Sequence, residues 1–324
     1  MIISRTPLRI SLAGGGTDLR EYYKEGGGAV ISTAIDKYVY ITVNKRFEDT
    51  IRLGYSKTEI VDHVDKIEHK AANVALKYMG IEKGIEITVV GDVPARGSGL
   101  GSSSSFLVGL LNALHAYKGE FRSPEVLAKE ACMLEIEKMN APIGKQDQYI
   151  TAYGGFKFIK FEPNEDVFVD PVICPPEVRR ELENNLLLFY TGMDRSSSHI
   201  LEEQNKKTSV NGKELDRIKE LAYEIRDCIN KKNLDKIGKL LDENWQNKKK
   251  LASRISNSVI DDYYQKALHA GAIGGKLCGA GGGGFLMLYC KKEHQEKVRK
   301  TLKDLKELEF GFEPTGSQII FVGS

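Results

Sequence analysis

Four short segments carry side chains whose types and spacing suit group-transfer chemistry. The richest is Pro94-Ala-Arg-Gly-Ser-Gly-Leu-Gly-Ser-Ser-Ser-Ser105. Gly97, Gly99 and Gly101 let a backbone turn through positive φ and approach a ligand without Cβ interference. The serines that follow open a helical run, where unpaired N–H groups and the positive dipole end favour a phosphate. A nucleoside triphosphate needs such a glycine loop feeding a serine-rich helix start, so the segment points to phosphoryl transfer. Three glycines and four consecutive serines exceed what the alternative, a structural turn with a serine cap, requires. No Gly-Lys-Ser/Thr follows the glycines, so this is not a Walker A loop and any metal must be held differently. A serine hydroxyl with a carboxylate suits Mg2+, a hard ion that prefers oxygen.

The second segment, Gly279-Ala-Gly-Gly-Gly-Gly284, formally matches a dinucleotide fingerprint but precedes a strand-like run where that fingerprint needs a helix. Its glycines suggest a close backbone approach, either to a ligand or to the first glycine loop; a plain loop is the alternative. The third, Pro7-Leu-Arg-Ile-Ser-Leu-Ala-Gly-Gly-Gly-Thr-Asp18, runs a strand into three glycines. Asp18 is a candidate acceptor for substrate hydroxyls or a cap for the next helix. Arg9 lies mid-strand in apolar surroundings, where a cation needs a partner. The fourth is Ile143-Gly-Lys-Gln-Asp-Gln-Tyr149. Asp147 is a candidate base for a hydroxyl nucleophile, Lys145 a candidate cation to keep it ionised, and turn chemistry the alternative for the whole segment.

Alternating strands and helices must position these residues. Tyr38 to Asn44, Ile85 to Val90 and Gly155 to Phe161 read as strands, and Glu68 to Met79 as a helix ending before Gly80. Ser103 to Tyr117 is apolar enough to be a buried helix. Ser123-Pro124 opens another helix, running to about Met139. Cys174-Pro-Pro176 punctuates the chain before a strand at Leu186 to Tyr190. From Ser196 to His269 the pattern is helical and charged, and Lys231-Lys232 and Lys248-Lys-Lys250 read as solvated helix faces because acids are interspersed. Phe285 to Cys290, a helix from Glu293 to Leu308 and a strand from Ser317 to Val322 close the chain as a β-α-β tail, giving the second half an α+β character.

Composition excludes several classes. The 324 residues are 41% hydrophobic and 28% charged, enough for a sizeable core or two domains. A net charge of +2 argues against a nucleic-acid partner. No apolar run reaches 18 residues, so no membrane partner is expected, and the first residues read as a strand rather than a leader. Cys132, Cys174, Cys228, Cys278 and Cys290 form no close pairs and read as buried thiols of a reducing, cytoplasmic protein rather than as disulfides or a zinc site.

Taken together, Pro7–Asp18, Pro94–Ser105 and Lys276–Phe285 resemble, in order and spacing, the three signature motifs of the GHMP small-molecule kinases. The resemblance spans essentially the whole chain. It implies a two-domain α/β (α+β) fold, with a ribosomal-protein-S5-like half over residues 1–180, a ferredoxin-like half over 181–324, and the site in the cleft between them. It implies that Pro94, Gly97, Ser98, Gly99, Leu100, Gly101, Ser102, Ser103 and Ser104 surround the phosphates of ATP, and that Ser103 and Glu135 hold Mg2+. Glu135 lies 12 residues before Asp147, as in galactokinase-like members; Glu137 is the competing choice. Asp147 takes the place of the hydroxyl-polarising aspartate, and Arg9 that of the arginine that stabilises transferring charge. Gly281 and Gly282 belong to the loop that shapes the cleft.

The chain departs from galactokinase where Gly15-Gly16 precede Thr17-Asp18, which removes two sugar-reading side chains and opens space. This variant, with Gly-Lys-Gln-Asp-Gln and Tyr190-Thr-Gly-Met-Asp-Arg-Ser-Ser-Ser198, looks like the branch that phosphorylates the anomeric hydroxyl of D-glycero-D-manno-heptose 7-phosphate. The resemblance then implies a sugar-phosphate substrate met by Gly15, Gly16, Thr17, Asp18 and Lys145, with Arg195 and Ser196 to Ser198 as a cationic dock. Helix capping by those serines is the alternative. Galactose, fucose and mevalonate are the competing acceptors, and a non-catalytic sugar sensor is a reading of a different class. A homodimer is left open.

Overall fold

The computed structural model describes residues 1–94, 97–193 and 197–323, with the side chain of Ser197 left aside. The chain opens with β1 (Ile2–Ala13), α1 (Arg20–Gly26) and the 18-residue β2 (Gly28–Lys45). β3 (Ile51–Gly54), β4 (Thr58–Val61), α2 (Lys70–Tyr78) and β5 (Ile85–Gly91) follow. Next come α3 (Ser102–Tyr117), α4 (Pro124–Cys132), a π-helical turn at Met133–Lys138, and α5 (Gln146–Tyr153). β6 (Phe156–Phe161), β7 (Val167–Pro171) and α6 (Pro176–Asn184) complete this part. The remainder comprises β8 (Leu186–Tyr190), α7 (Ser197–Lys206), α8 (Gly212–Asn230), α9 (Leu234–Leu251) and α10 (Ser258–Ala270). It ends with β9 (Gly274–Leu277), β10 (Phe285–Tyr289), α11 (Lys292–Thr301), β11 (Lys306–Glu307) and β12 (Gln318–Val322).

β2 organises the first sheet. β1 pairs along one side of it, while its two ends pair with β6 and β5 on the other. Side chains alternate along β1: Leu8, Ile10 and Leu12 are buried in the core, and Arg9 and Ser11 point the other way, into a cleft. α3 lies close on this sheet. Ser4 Oγ donates to Gly109 O at 2.8 Å, and Ser105 Oγ to Pro7 O at 2.9 Å. A Cβ on Gly109 would sit 2.6 Å from Thr6 Oγ1, so only glycine permits that approach.

The second sheet is antiparallel in the order β11-β8-β10-β9. Every residue of β10 is buried, and α9 packs across β9. A Cβ on Gly274 would fall 2.0 Å from Gly238 O, so a pair of glycines lets helix and strand backbones meet. Along α9 the stripe Ile237, Leu241, Asn244, Lys248 and Leu251 is buried at a spacing of four and three, the inward face of a helix.

Three expectations change. The closing helix stops at Thr301 instead of Leu308, because Leu302 and Leu305 turn into the core and β11 pairs with β8. The last strand leaves the second half and pairs antiparallel with β1, Ile2 opposite Val322. Lys248 is not on a solvated face. Among the described residues no helix is long and apolar enough to cross a membrane, and the five cysteines are free thiols.

Candidate active site

The four segments converge on one cleft of about 710 Å3 between the two halves. On one wall, Gly97, Gly99 and Gly101 all have positive φ, and Gly101 is the residue before α3. Ser105 N is the first amide of that region to bond back, to Gly101 O, so the amides of Ser102, Ser103 and Ser104 remain outside the helical ladder. No side chain caps them. The second glycine loop packs against the first. Phe285 N donates to Ser98 O at 3.1 Å, and a Cβ on Gly99 would meet Cys278 O at 2.5 Å. The close approach of Gly279–Gly284 to the first loop is present, and Gly279, Gly281 and Gly283 also line the cleft.

Arg9 and Asp147 meet in the middle of the cleft. Arg9 Nε and Nη2 donate to the two carboxylate oxygens, each at 2.6 Å, and Nη1 donates to Gly99 O at 2.6 Å. Arg9 is 5% exposed; burial disfavours its charge, and Asp147 outweighs that and raises its pKa. Asp147 does not lie in a turn: it sits in the first turn of α5, where a carboxylate is favoured by the dipole.

Lys145 does not hold Asp147. It donates to Glu165 Oε2 at 2.5 Å and lies over the Tyr23 ring, because two positions back at a helix start it faces the other way. Burial pushes Glu165 up, but hydrogen bonds from Lys145, Tyr23 and Arg20 outweigh this and hold it at about 2.

Asp18 does not cap α1, whose cap position is Leu19. It reaches across to α5 instead: Gln146 N donates to Oδ2 at 3.2 Å, and Gln146 Nε2 and Gly16 N donate to Oδ1 at 3.0 and 2.9 Å. A Cβ on Gly144 would fall 1.9 Å from Asp18 Oδ2, which accounts for that glycine. Burial raises the Asp18 pKa, and the Asp147 charge adds to it.

Glu135 reaches the serine end of α3 from the π-helical turn, a local widening of the helix often found at functional sites. Ser103 Oγ donates to Oε1 at 3.0 Å; Ser104 Oγ and Gln148 Nε2 donate to Oε2 at 2.8 and 2.5 Å. Burial raises its pKa against these bonds. Glu137 is exposed. The Gln148 amide oxygen beside Glu135 is buried with no partner among the described residues. This hard oxygen set, with a buried acid lacking a counter-charge, fits a divalent cation shared with phosphates.

Several expected residues lie off the cleft. Thr17 is buried, its hydroxyl tied to Gly14 O and Ala29 O. Leu100 faces the core, while its carbonyl accepts from Arg9 N. Gly282 is held by Ile255 O, and neither it nor Pro94 lines the cavity, whereas Gly15, Gly16, Ser98 and Gly281 do. The space expected at Gly16 is filled: a Cβ there would sit 2.5 Å from Gln204 Nε2. Arg195 and Ser196 lie outside the described residues. Gln146, Gln204, Asn244, Lys248 and Lys276 also line the cleft, none of them a site residue expected from the sequence. The signal for Asn244 and Lys248 is the apolar spacing of α9, since both fall in phase with Ile237, Leu241 and Leu251.

Comparison with known proteins agrees with this architecture. The chain is 29% identical over 322 residues to the D-glycero-alpha-D-manno-heptose 7-phosphate kinase of Campylobacter jejuni, covering 93% of each. It is 27% identical to the galactokinase of Pyrococcus furiosus, over 92% of this chain and 91% of that protein. A solved D-glycero-D-manno-heptose 1-phosphate kinase from Bacteroides thetaiotaomicron superposes with a TM-score of 0.82 at 25% identity over the full length of both. Two family models match, the GHMP kinases N terminal domain over residues 64–155 and the GHMP kinases C terminal region over 225–307, together more than half of the chain. With both halves matched, and the cleft between them built from their facing loops, the chain belongs to the GHMP kinases and is an ATP-dependent small-molecule kinase.

Proposed function

We propose that this kinase transfers the γ-phosphoryl group of ATP to the anomeric hydroxyl of a sugar phosphate, D-glycero-D-manno-heptose 7-phosphate, giving the 1,7-bisphosphate and ADP. The observation that carries the transfer is the bidentate Arg9–Asp147 pair set between the amide-rich start of α3 and the Gly15–Asp18 segment. The heptose acceptor is supported by the similarity to the Campylobacter jejuni heptose 7-phosphate kinase across 93% of both chains.

The amides of Ser102, Ser103 and Ser104 take the nucleotide phosphates at the positive end of α3. Ser103 and Glu135 would hold Mg2+, which would supply positive charge to the nucleotide phosphates. Asp147 accepts the proton of the attacking hydroxyl as the new O–P bond forms and the bond from the γ-phosphorus to the bridging oxygen breaks, with ADP as leaving group. Arg9 holds both oxygens of that carboxylate in one plane and ties Gly99 to it, so it positions the base and the phosphate loop together. Asp18 acts one step back, fixing the start of α5 and hence Asp147.

Asp147→Asn is the test. ATP affinity should stay within about twofold while kcat falls about 10²–10⁴-fold, the range a positioned general base supplies. Near-normal turnover would overturn the role. For the acceptor, ADP release is measured against heptose 7-phosphate, galactose, fucose and mevalonate; silence with the heptose phosphate and turnover with another would replace it.

A further inference from the structure

The charge of Arg9 is matched by Asp147, so it contributes little net positive charge to a group in transfer. Among the described residues, two other cations reach the cleft without such a match. Lys248 of α9 is 7% exposed and Lys276 of β9 is 3% exposed. Lys248 Nζ donates to Leu277 O at 3.2 Å and to Gly279 O, and Lys276 Nζ donates to Ser11 O at 2.8 Å. Among the described residues, the charged and titratable groups that bear on them are Arg9 of β1, Cys278 after β9, and Lys276 upon Lys248, with no carboxylate. Two neighbouring buried ammonium groups whose hydrogen-bond acceptors are carbonyls repel each other, and among the described residues neither has a counter-ion. An ammonium has three donors, so after these bonds one remains on Lys248 and two on Lys276. Three donors suit the three oxygens of a phosphoryl group.

We propose that Lys248 and Lys276 form an oxyanion subsite on the second-half wall of the cleft, separate from the amides of α3, which takes a phosphoryl group of a bound ligand. It rests on the cleft being the phosphoryl-transfer site. The glycine contact between α9 and β9 builds it, since Gly238 and Gly274 let the helix descend until Lys248 reaches the end of the strand that carries Lys276. Burial lowers the pKa of both lysines, that of Lys276 to about 8 and that of Lys248 well below its ordinary value. The empty subsite is therefore short of positive charge near pH 8, and an arriving anion restores it by drawing in protons. The sign follows: anion affinity rises as pH falls through about 8.

Sulfate is the probe, because it does not titrate in this range, and the protein is first saturated with ADP so that the start of α3 is occupied. Calorimetry at pH 8 in two buffers of different ionisation enthalpy should show net proton uptake on sulfate binding; binding without uptake overturns the proposal. Lys248→Met and Lys276→Met should weaken sulfate at least tenfold, with ADP affinity within twofold. Lys248→Gln retains a donor for the loop carbonyls without the charge. It should lose sulfate as the methionine variant does; if it keeps sulfate affinity, Lys248 merely holds the loop. Loss of the wild-type preference for AMP-PNP over ADP assigns the subsite to the donor's γ-phosphoryl group. Loss of the preference for heptose 7-phosphate over heptose assigns it to the acceptor's phosphate. Folded variants that keep both preferences and sulfate affinity sink the subsite. A failed acceptor panel with the sulfate effect intact sinks only the heptose reading.

Discussion

Each charged side chain of the cleft is held by a partner on a different element, and that partner defines what it can do. Arg9 and Asp147 are 138 positions apart, and Glu135 is held by hydroxyls 31 and 32 positions away. Burying such groups is costly unless they are paired and hydrogen-bonded. Glu135 is the clearest case, since its bonds come only from neutral donors and burial still raises its pKa. A bound dication would reverse that. Glu135→Gln keeps the size and an acceptor oxygen for Ser103 or Ser104 but removes the charge. The Mg2+ concentration for half-maximal turnover should rise at least about tenfold, equivalent to about 1.4 kcal/mol of lost binding. An unchanged magnesium titration would remove Glu135 from the metal site.

Among the elements, the two glycine loops act as one structure. Gly99 has φ of +73° and lies against the Cys278 carbonyl, while Gly279 lies against Gly99 in return. An alanine at 99 meets two separate penalties. The left-handed backbone alone costs about 1–2 kcal/mol for an L-residue. The added methyl also cannot fit 2.5 Å from a backbone oxygen without separating the loops. Gly99→Ala should therefore lower Tm and weaken ATP binding together, measured by thermal melts with and without nucleotide. A variant that melts like the wild type would mean the loops are not in contact. The π-helical turn works in the same way: one wider turn at Met133–Lys138 brings Glu135 inward and leaves Glu137 outside.

For the molecule as a whole, the sheet that carries Arg9 is finished by the last strand. β12 pairs with β1, Thr6 Oγ1 and Ser317 Oγ lie 2.8 Å apart, and Asn112 Nδ2 donates to Ser317 Oγ. The approach to that strand runs past Gly154, where a Cβ would fall 2.0 Å from the Thr315 backbone. The first sheet therefore takes a strand from beyond residue 180. A fragment of residues 1–180 leaves the outer edge of β1 unpaired, and an open edge recruits other chains. That fragment should aggregate or stay unfolded by circular dichroism and size-exclusion chromatography. A soluble monomeric fragment with strand content equal to that of the first sheet would show that β12 is dispensable.

The glycine loop, the serine-rich start of α3 and the second loop were legible in the sequence because backbone chemistry there depends on local residue type. Glycine permits positive φ, and a helix start offers free amides wherever it folds. The helix Ser123 to about Met139 and the strands at β5, β6, β8 and β10 were legible for the same local reason, periodicity and capping. Pairings were not. That Lys145 turns to Glu165, that Asp18 serves α5, that Gln204 fills the room at Gly16 and that Lys248 is buried all depend on residues tens to hundreds of positions away. The same holds for β11 and β12, whose partners β8 and β1 lie far back in the chain. Residue type alone indicated where free backbone amides gather, because a glycine loop and a helix start supply them wherever they fold. Which cations share the cleft with those amides follows from tertiary packing, since Arg9, Lys248 and Lys276 come from three separate elements.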